Sequence, residues 1–202
     1  EGLPVLYITG SPFELGYANG VLTKDSTFLQ EEALIELSDK VFPRRWMRWA
    51  VQAFLTFHNR HLSDYVNDDL EMEIAGSAMG CPNMHPEIGP PFHRAMNYHA
   101  AQDISYLMVD KNLVVGCTAF GAWGRMTEGG RLICGRNFDW EGHPIFDKRR
   151  LLILYEPDRG IPFISLAWAG MAGCISGMNR EGISITVNGA PSALPGRTGT
   201  PT

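Results

Sequence analysis

The feature that most constrains the fold is a proline-rich segment at residues 81–91, in the middle of the chain. Its four prolines remove backbone donors and fix φ, so the segment is predicted to be a loop. The loop separates two compositional halves. From Ser11 to about Met79 the apolar residues recur at helical spacing, whereas from about Leu113 onward short apolar runs alternate with glycines. The sequence therefore predicts a helical first half and a strand-rich second half.

The first half is predicted to open with a strand and a long helix. Residues 5–9, Val-Leu-Tyr-Ile-Thr, are mostly β-branched or aromatic and suit a short strand. Ser11 and Glu14 then form a capping-box pattern around Pro12, in which each side chain satisfies a free amide of the other residue. A helix is therefore expected to begin at Pro12 and to run toward Leu37.

A second, amphipathic helix is predicted from Arg45 to about Ala78. Its large apolar side chains are interpreted as packing residues rather than as a ligand site, because their spread along the helix is typical of packing. They are Trp46, Trp49, Phe54, Leu55 and Phe57.

The second half is predicted to contain a β-hairpin. Strand-type residues at 116–120 and 131–136 flank Gly129 and Gly130, and two such runs joined by a Gly-Gly turn indicate a hairpin. Apolar and polar residues alternate before Asn188, so Asn188 is expected to face away from the apolar layer. Further strands are predicted at residues 150–155, 163–168 and 183–188.

Composition limits the classes of partner. The 202 residues carry 17 Lys+Arg against 22 Asp+Glu, for a net charge of −5, and 45% are hydrophobic. This composition supports a buried core, and a chain without a long basic run lacks the charge that nucleic-acid binding requires. Residues 160–179 are uncharged over the length of a membrane helix, but Pro162 and four glycines argue against a continuous helix. No nucleic acid and no membrane span are therefore expected.

The four cysteines are too few for a disulfide scaffold in a chain of this size and are expected to be free thiols. Nothing in the sequence assigns a compartment. A zinc site is a weaker alternative, because the candidate ligands match no standard zinc-module spacing and the prolines already explain the loop. Those ligands would be Cys81, His85, His93 and His99.

The residues best suited to catalysis are Cys117 and the run Gly-Arg-Asn-Phe-Asp-Trp at residues 135–140. A thiol nucleophile needs neighbours that favour the thiolate, a base and an oxyanion site. The predicted hairpin brings Arg136 and Asp139 back beside the start of its first strand, near Cys117. The structural alternative is a small buried cysteine beside an ion pair at a strand end.

The same residues carry a resemblance to a known group of enzymes. Cys117, followed by Arg136 after 19 residues and by Asp139 after 22, resembles the N-terminal-nucleophile (Ntn) hydrolases of the choloylglycine hydrolase and acid ceramidase group. Residues 10–20, Gly-Ser-Pro-Phe-Glu-Leu-Gly-Tyr-Ala-Asn-Gly, resemble the start of the acyl-coenzyme A:isopenicillin N acyltransferase family, the autoproteolytic C45 peptidase group. Residues 177–188 are similar to the later segment of both.

The resemblance implies a role for each of these residues. Cleavage between Gly116 and Cys117 would expose Cys117 as a new N-terminus, whose thiolate attacks an acyl carbonyl while its own α-amine handles protons. An α-amine suits this work because its ordinary pKa is about 7.7–8.0. Asp139 would hold that amine, Arg136 would favour the thiolate, and Asn188 would donate to the oxyanion.

The resemblance also implies a fold of the mixed α/β (α+β) class. This is a four-layer αββα sandwich of antiparallel sheets. Residues 1–116 would form an N-terminal helical region that resembles an α-subunit or a propeptide, and residues 117–202 the first part of a catalytic core that continues beyond Thr202. The cleaved fragments would stay together as a heterodimer or a higher oligomer. The resemblance implies no metal and no organic cofactor.

The expected function is hydrolysis or acyl transfer at a linear amide, through a thioester on Cys117. The partners would be a small acyl amide and, for a transferase, an amine acceptor. Arg136 stands where the acyltransferase motif has Gln, which favours the hydrolases, whereas residues 10–20 favour the acyltransferase. The alternative is an uncleaved, non-catalytic precursor or binding protein with the same fold.

Overall fold

The structure is a computed structural model that describes residues 2–101, 115–140 and 143–188. Across these residues the protein is a mixed α+β fold, as predicted. The final part of the predicted catalytic core, residues 189–202, lies outside the described residues. The described helices are α1 (Pro12–Val41), α2 (Arg45–His58), α3 (Asp68–Gly80), α4 (Pro91–His99) and α5 (Pro144–Lys148), with a 3-10 turn at Leu62–Tyr65. The described strands are β1 (Val5–Gly10), β2 (Val115–Gly124), β3 (Gly130–Trp140), β4 (Arg150–Pro157), β5 (Phe163–Trp168), β6 (Ser176–Asn179) and β7 (Ser184–Thr186).

The start of α1 confirms the predicted capping box. The Ser11 hydroxyl accepts from the Glu14 amide at 3.5 Å, and the Glu14 carboxylate accepts from the Ser11 amide at 2.8 Å. Pro12 occupies the first turn, where its missing N–H costs nothing. The helix runs past Leu37 to Val41 and ends there because Pro43 disfavours helical geometry in the residue before it.

The predicted second helix over residues 45–78 is wrong, since the structure divides it into α2 and α3. The helix is interrupted after His58 and restarts at Asn67, whose side-chain oxygen accepts from the Leu70 amide at 2.8 Å. Asp68 and Asp69 follow in the first turn, where their charges favour a new helix N-terminus. The cap and these two charges account for the break.

The aromatic residues of α2 were expected to pack, and within the described part of the chain this expectation is wrong. No α2 residue is buried. Leu55 is half-buried, and the other members of the predicted packing set are exposed: Trp46, Trp49, Phe54 and Phe57.

Helices α1 and α3 cross in close backbone contact at glycines. A Cβ atom at Gly16 would lie 1.8 Å from the carbonyl oxygen of Glu73, and one at Gly76 would lie 2.2 Å from the carbonyl oxygen of Phe13. Gly20 shows the same close approach to the α3 backbone. Two helices can approach this closely only where neither has a side chain, so these glycines set the position of α3 against α1.

The larger sheet has five strands in the order β1-β4-β5-β6-β7. Strand β1 pairs in parallel with β4, and the remaining pairs are antiparallel. The predicted strands at 5–9, 150–155 and 163–168 are confirmed as β1, β4 and β5. The main core packs one face of this sheet against α1 and contains Ile8, Leu15, Leu151, Ile153, Tyr155, Ala167 and Ala169.

Strands β2 and β3 form a separate two-stranded sheet, and the turn between them, residues 125–129, ends at the predicted Gly129-Gly130 pair, whose second glycine begins β3. Both glycines have φ near +70°, a conformation that other residues rarely adopt. None of the described helices is long and apolar enough to cross a membrane. The uncharged residues 160–179 instead form β5, β6 and their connection.

The predicted strand at 183–188 is present but shorter, since β7 covers three residues. Its isoleucines, Ile183 and Ile185, are more than half exposed, so within the described residues no apolar layer covers that face. Three elements were not anticipated: α4, α5 and β6.

Candidate functional site

The β2–β3 register sets the surroundings of Cys117. Cys117 lies opposite Phe138, and Gly116 lies opposite Asp139. The carboxyl-bearing residue therefore pairs across the hairpin with the residue before the predicted cleavage point. Directly paired residues share a face and successive residues alternate, so the exposed Asp139 side chain lies on the face opposite to that of Cys117. Cys117 is a free, half-buried cysteine in an unbroken strand.

Arg136 lies on the Cys117 face of the hairpin. It pairs with Ala119, two residues along β2, and residues two apart on a strand share a face. Its guanidinium carbon is 4.3 Å from the ring centre of Phe138, the residue opposite Cys117. The register thus brings a cation and the thiol to one face of the hairpin.

The guanidinium of Arg136 also joins the hairpin to the five-stranded sheet. Nη1 donates to the Ser176 hydroxyl on β6 at 2.9 Å, and Nη2 donates to the carbonyl of Val187, just after β7. Nε is buried and has no acceptor among the described residues. A buried donor without a partner is costly, so this atom can bind a further acceptor at the site.

Asn188 is brought to the site only through its neighbour. It follows Val187, whose carbonyl Arg136 holds, but its own side-chain amide donates to the carbonyl and hydroxyl oxygens of Thr186, each at 3.3 Å. Asn188 is exposed. The backbone therefore lies at the hairpin, whereas the amide that would contact an oxyanion is directed back along its own strand.

An aromatic cluster borders the hairpin. The Phe138 ring lies 5.5 Å from that of Trp168, which packs edge-on against Phe146 at 5.8 Å. Trp168 Nε1 donates to the Phe146 carbonyl at 2.8 Å. Two cavities share these three rings and Ile175: one of about 870 Å³ on the hairpin side and one of about 620 Å³ between α1, α3 and α4. This aromatic cluster was not predicted from the sequence, where only Phe138, within the run at residues 135–140, lay in a segment already singled out.

The β5–β6 connection is fixed by polar side chains from the helices. Asn19 Nδ2 donates to the Met171 carbonyl at 3.1 Å, and Asn19 Oδ1 accepts from the Gly170 amide at 3.2 Å. The Ser77 hydroxyl donates to the Gly170 carbonyl at 2.9 Å. Asn19 and Ser77 are both buried, so these bonds satisfy groups that have no access to water.

His99 continues this set of contacts from α4. Its Nε2 accepts from the Ala172 amide at 2.8 Å, so Nδ1 carries the proton and donates to the Ala95 carbonyl at 2.7 Å. Burial lowers the pKa of His99, which keeps the ring neutral. Both ring nitrogens are therefore engaged within the protein.

The described part of the chain contains no group of three or more His, Cys, Asp or Glu side chains arranged to hold a metal ion. Cys81, a member of the alternative zinc set, donates to the Gly20 carbonyl at 3.3 Å, and burial raises the pKa of its thiol. Cys81 and His99, two members of the alternative zinc set, are thus engaged by backbone partners within the described residues.

Glu73 on α3 reaches the same connection. Its carboxylate accepts from the Gly173 amide at 3.4 Å and lies against the hydroxyl of Tyr155. Burial raises the pKa of Glu73 to about 7, and burial also raises the pKa of Tyr155. The burial of Glu73 was not predicted from the sequence, because nothing local distinguishes it from the neighbouring acidic residues of α3.

A buried ion pair holds the proline-rich loop against the smaller cavity. Arg94 Nε donates to Glu31 at 2.8 Å, and the Tyr98 hydroxyl donates to the same carboxylate oxygen at 2.7 Å. Arg94 Nη1 also donates to the loop, at the carbonyls of His85 and Gly89. With its charge paired and its donors satisfied, Arg94 anchors the loop to α1.

No family model matches the chain. An uncharacterized protein of Archaeoglobus fulgidus is 24% identical over 202 residues, covering 95% of this chain and 34% of its own length. A protein of Dictyostelium discoideum named dcd1B is 24% identical over 191 residues, covering 88% of this chain and 36% of its own length. The chain thus spans about a third of the length of these relatives, and neither printed name gives an activity.

Proposed function

We propose that the chain is the nucleophile-bearing part of a self-cleaving cysteine amidohydrolase or acyltransferase of the Ntn type. The observation that carries the proposal is the β2–β3 register, which pairs Gly116 with Asp139 and sets Arg136 on the face of Cys117. The sequence resemblance predicted that these residues meet, and their roles in the proposal follow from that resemblance.

Self-cleavage would be the first reaction. The Cys117 thiol adds to the carbonyl carbon of Gly116, and the bond between that carbon and the Cys117 nitrogen breaks. The product is a thioester with a free α-amine on Cys117. Water then hydrolyses the thioester, which leaves a carboxylate on Gly116 and restores the thiol.

The mature residue would then act on an external amide. The Cys117 thiolate attacks the acyl carbonyl, the leaving amine takes a proton from the α-ammonium group, and a thioester acyl-enzyme forms. Asp139 would hold the new α-amine, because it pairs across the hairpin with the residue that cleavage removes. The thioester finally passes its acyl group to water or to an amine acceptor. This chemistry requires no metal or organic cofactor.

Arg136 and Asn188 would stabilise the negative charges of the reaction, which are the Cys117 thiolate and the oxyanion. Arg136 would stabilise the thiolate, and its unpartnered Nε is available for such an acceptor. Asn188 would serve the oxyanion after its amide turns from Thr186 toward the hairpin. The substrate would be a small linear acyl amide; Arg136 favours hydrolysis, and residues 10–20 favour acyl transfer.

The finer fold belongs to the same proposal. The five-stranded sheet and the β2–β3 sheet would be parts of the two central layers of an αββα sandwich, with α1 and α3 in one outer layer. The exposed side chains of Ile183, just before β7, and Ile185, within it, support this arrangement, because apolar side chains at a sheet need a covering layer. Residues outside the described ranges would supply it.

The direct test is the intact mass and the N-terminal sequence of the purified full-length protein. The wild type should give two fragments, one beginning at Cys117, whereas Cys117→Ala should give one uncut chain. Cys134→Ala is the matched control, because Cys134 lies exposed on the same hairpin and pairs with Gly121. It should cleave like the wild type.

An uncut wild-type chain would overturn the proposal, because Cys117 would then have no α-amine. The uncleaved, non-catalytic precursor or binding protein would take its place. For cleaved protein, turnover of a panel of acyl amides with and without an added amine would separate hydrolysis from acyl transfer.

A further inference from the structure

Helix α2 presents its apolar face outward. The exposed apolar residues follow the i, i+3, i+4 spacing of a single helix face, which we call the α2 stripe. Four of its members are aromatic, with exposed fractions of 64% for Trp46, 71% for Trp49, 47% for Phe54 and 68% for Phe57. The complete stripe is Trp46, Trp49, Ala50, Ala53, Phe54 and Phe57.

Two polar residues of α2, Arg48 and Gln52, instead face the protein. Arg48 pairs with Asp39 at 3.0 Å and donates to the Phe42 carbonyl at the same distance. One turn further, Gln52 Nε2 donates to the Ile88 carbonyl at 2.5 Å. A surface helix normally buries its apolar face and exposes its polar one. The orientation of α2 is the reverse, so its outer face suits an apolar medium rather than water.

Within residues 41–63, which contain α2, the charged residues have one sign. Residues 41–63 contain four arginines and no acidic residue, although the whole chain has a net charge of −5. Arg44 and Arg45 are exposed at the N-terminus of α2. Arg60 lies beyond its C-terminus, with its guanidinium 4.0 Å from the ring centre of Phe57. Cations therefore flank the stripe at both ends.

We propose that α2 lies in the plane of an anionic lipid surface, with the stripe in the headgroup region and the arginines on lipid phosphates and carboxylates. An amphipathic helix with aromatic residues on one side and arginines at its edge is suited to this position. Tryptophan, with an apolar ring and one N–H donor, favours the interface between water and hydrocarbon. With 14 residues, or roughly 21 Å, α2 is too short to span a bilayer.

Charge also decides between lipid and a second copy of the chain. Two α2 stripes packed against each other would bring the arginines of both copies together with no acidic residue between them, which repulsion disfavours. An anionic headgroup layer supplies the opposite sign over the same area, and each arginine near such a surface adds about 1 kcal/mol of attraction.

The test is flotation of the full-length protein with phosphatidylcholine vesicles that contain 30% phosphatidylserine. The wild type should float with these vesicles, less so at high salt, and should float little with phosphatidylcholine alone. Trp46→Ser with Trp49→Ser should weaken binding by at least about tenfold. Arg44→Gln with Arg45→Gln should weaken it by about 30-fold.

Trp123→Ser is the matched control, because Trp123 is 65% exposed but lies on the β2–β3 hairpin. It should bind vesicles like the wild type, and circular dichroism should show that every variant is folded. Three outcomes would overturn the proposal. These are a wild type that does not float, tryptophan variants that bind unchanged, and an α2 stripe whose tryptophans are already shielded from an aqueous fluorescence quencher or held in a dimer without lipid.

Discussion

At the scale of single residues, Arg136 makes three contacts that a substitution would remove. Its guanidinium joins β3 to β6 through Ser176 and to the end of β7 through Val187, while it stacks on Phe138. A lysine at this position would keep the positive charge, but it lacks the planar pair of Nη donors that contacts Ser176 and Val187. The geometry, and not the charge alone, therefore distinguishes this residue.

We predict that Arg136→Ala slows self-cleavage by about 100-fold or more, the usual cost of removing one preorganised donor from a reacting site. Arg136→Lys should recover part of that loss by restoring the cation. Densitometry of fragments over time measures both rates. Arg131→Gln, an exposed arginine on the same strand, should leave the rate unchanged. Equal rates for all three variants would rule out a role for Arg136.

Glu73 gives the protein a distinctive pH dependence. Its pKa is raised to about 7 by burial, so the folded state holds a proton that the unfolded state releases near pH 4.5. Folding stability from this group is therefore complete below about pH 4.5 and is lost as the pH rises toward 7. The loss is on the order of 2–3 kcal/mol.

We predict that Glu73→Gln removes this decline. Between pH 5 and 7.5 the free energy of unfolding should fall less steeply in the variant than in the wild type, as urea titrations at each pH would show. His99 acts in the opposite sense, because its lowered pKa costs stability as the pH falls below about 6.5. Glu71→Gln, on the same helix, is the control and should keep the wild-type slope. An unchanged slope for Glu73→Gln would contradict the assignment.

The residues of the candidate site differ in how far the sequence could predict them. Cys117, Arg136 and Asp139 fall within one hairpin, so their approach follows from local spacing and a Gly-Gly turn. The contact of Arg136 with Val187 joins two sheets across 51 residues, and no local pattern encodes it. No local pattern encodes the contact between Glu73 and Gly173 either, since the sequence does not distinguish a buried acidic residue from an exposed one.

At the scale of elements, local capping signals decided which predictions held. The Ser11 capping box fixed the start of α1, but the Asn67 cap was overlooked, so two helices were predicted as one. Helix α4 was missed because the prolines of residues 81–91 were interpreted only as helix breakers. Pro91 in fact occupies the first turn of α4, where proline is favourable.

The α1–α3 crossing yields a prediction about stability. Gly16→Ala would place a methyl group 1.8 Å from the Glu73 carbonyl oxygen, so the helices would have to move apart. We expect a loss of about 3 kcal/mol or more in the free energy of unfolding. Urea denaturation of the two proteins measures the difference.

The control for this crossing is Gly2→Ala, because nothing lies within 4 Å of the added methyl group. It should change the stability by less than about 0.5 kcal/mol. If Gly16→Ala were as stable as Gly2→Ala, the helices would not be in backbone contact, and the glycines would have no packing role.

At the scale of the whole molecule, both sides of the predicted cleavage point build one sheet. Strand β1 belongs to residues 1–116, yet it pairs along its full length with β4. Ile8 and Leu15 on one side share a core with Ile153 and Tyr155 on the other. Cleavage at a hairpin strand would leave this sheet and core intact.

We therefore predict that the two fragments stay associated after cleavage, with a dissociation constant on the order of 1 µM or tighter. Size-exclusion chromatography in native buffer should elute them together, and denaturant should separate them. Asn19→Ala should lower the denaturant concentration needed, because it removes both bonds to the β5–β6 connection and leaves buried backbone groups unpaired.

Thr56→Ala is the matched variant for this experiment. Thr56 lies on α2 in the same fragment as Asn19, and its hydroxyl donates only to the Gln52 carbonyl one turn earlier among the described residues. It should leave the separation of the fragments unchanged. Fragments that elute apart in native buffer would show that the parallel β1–β4 pairing depends on an uncut chain. The continuous hairpin, rather than the shared core, would then hold the two halves together.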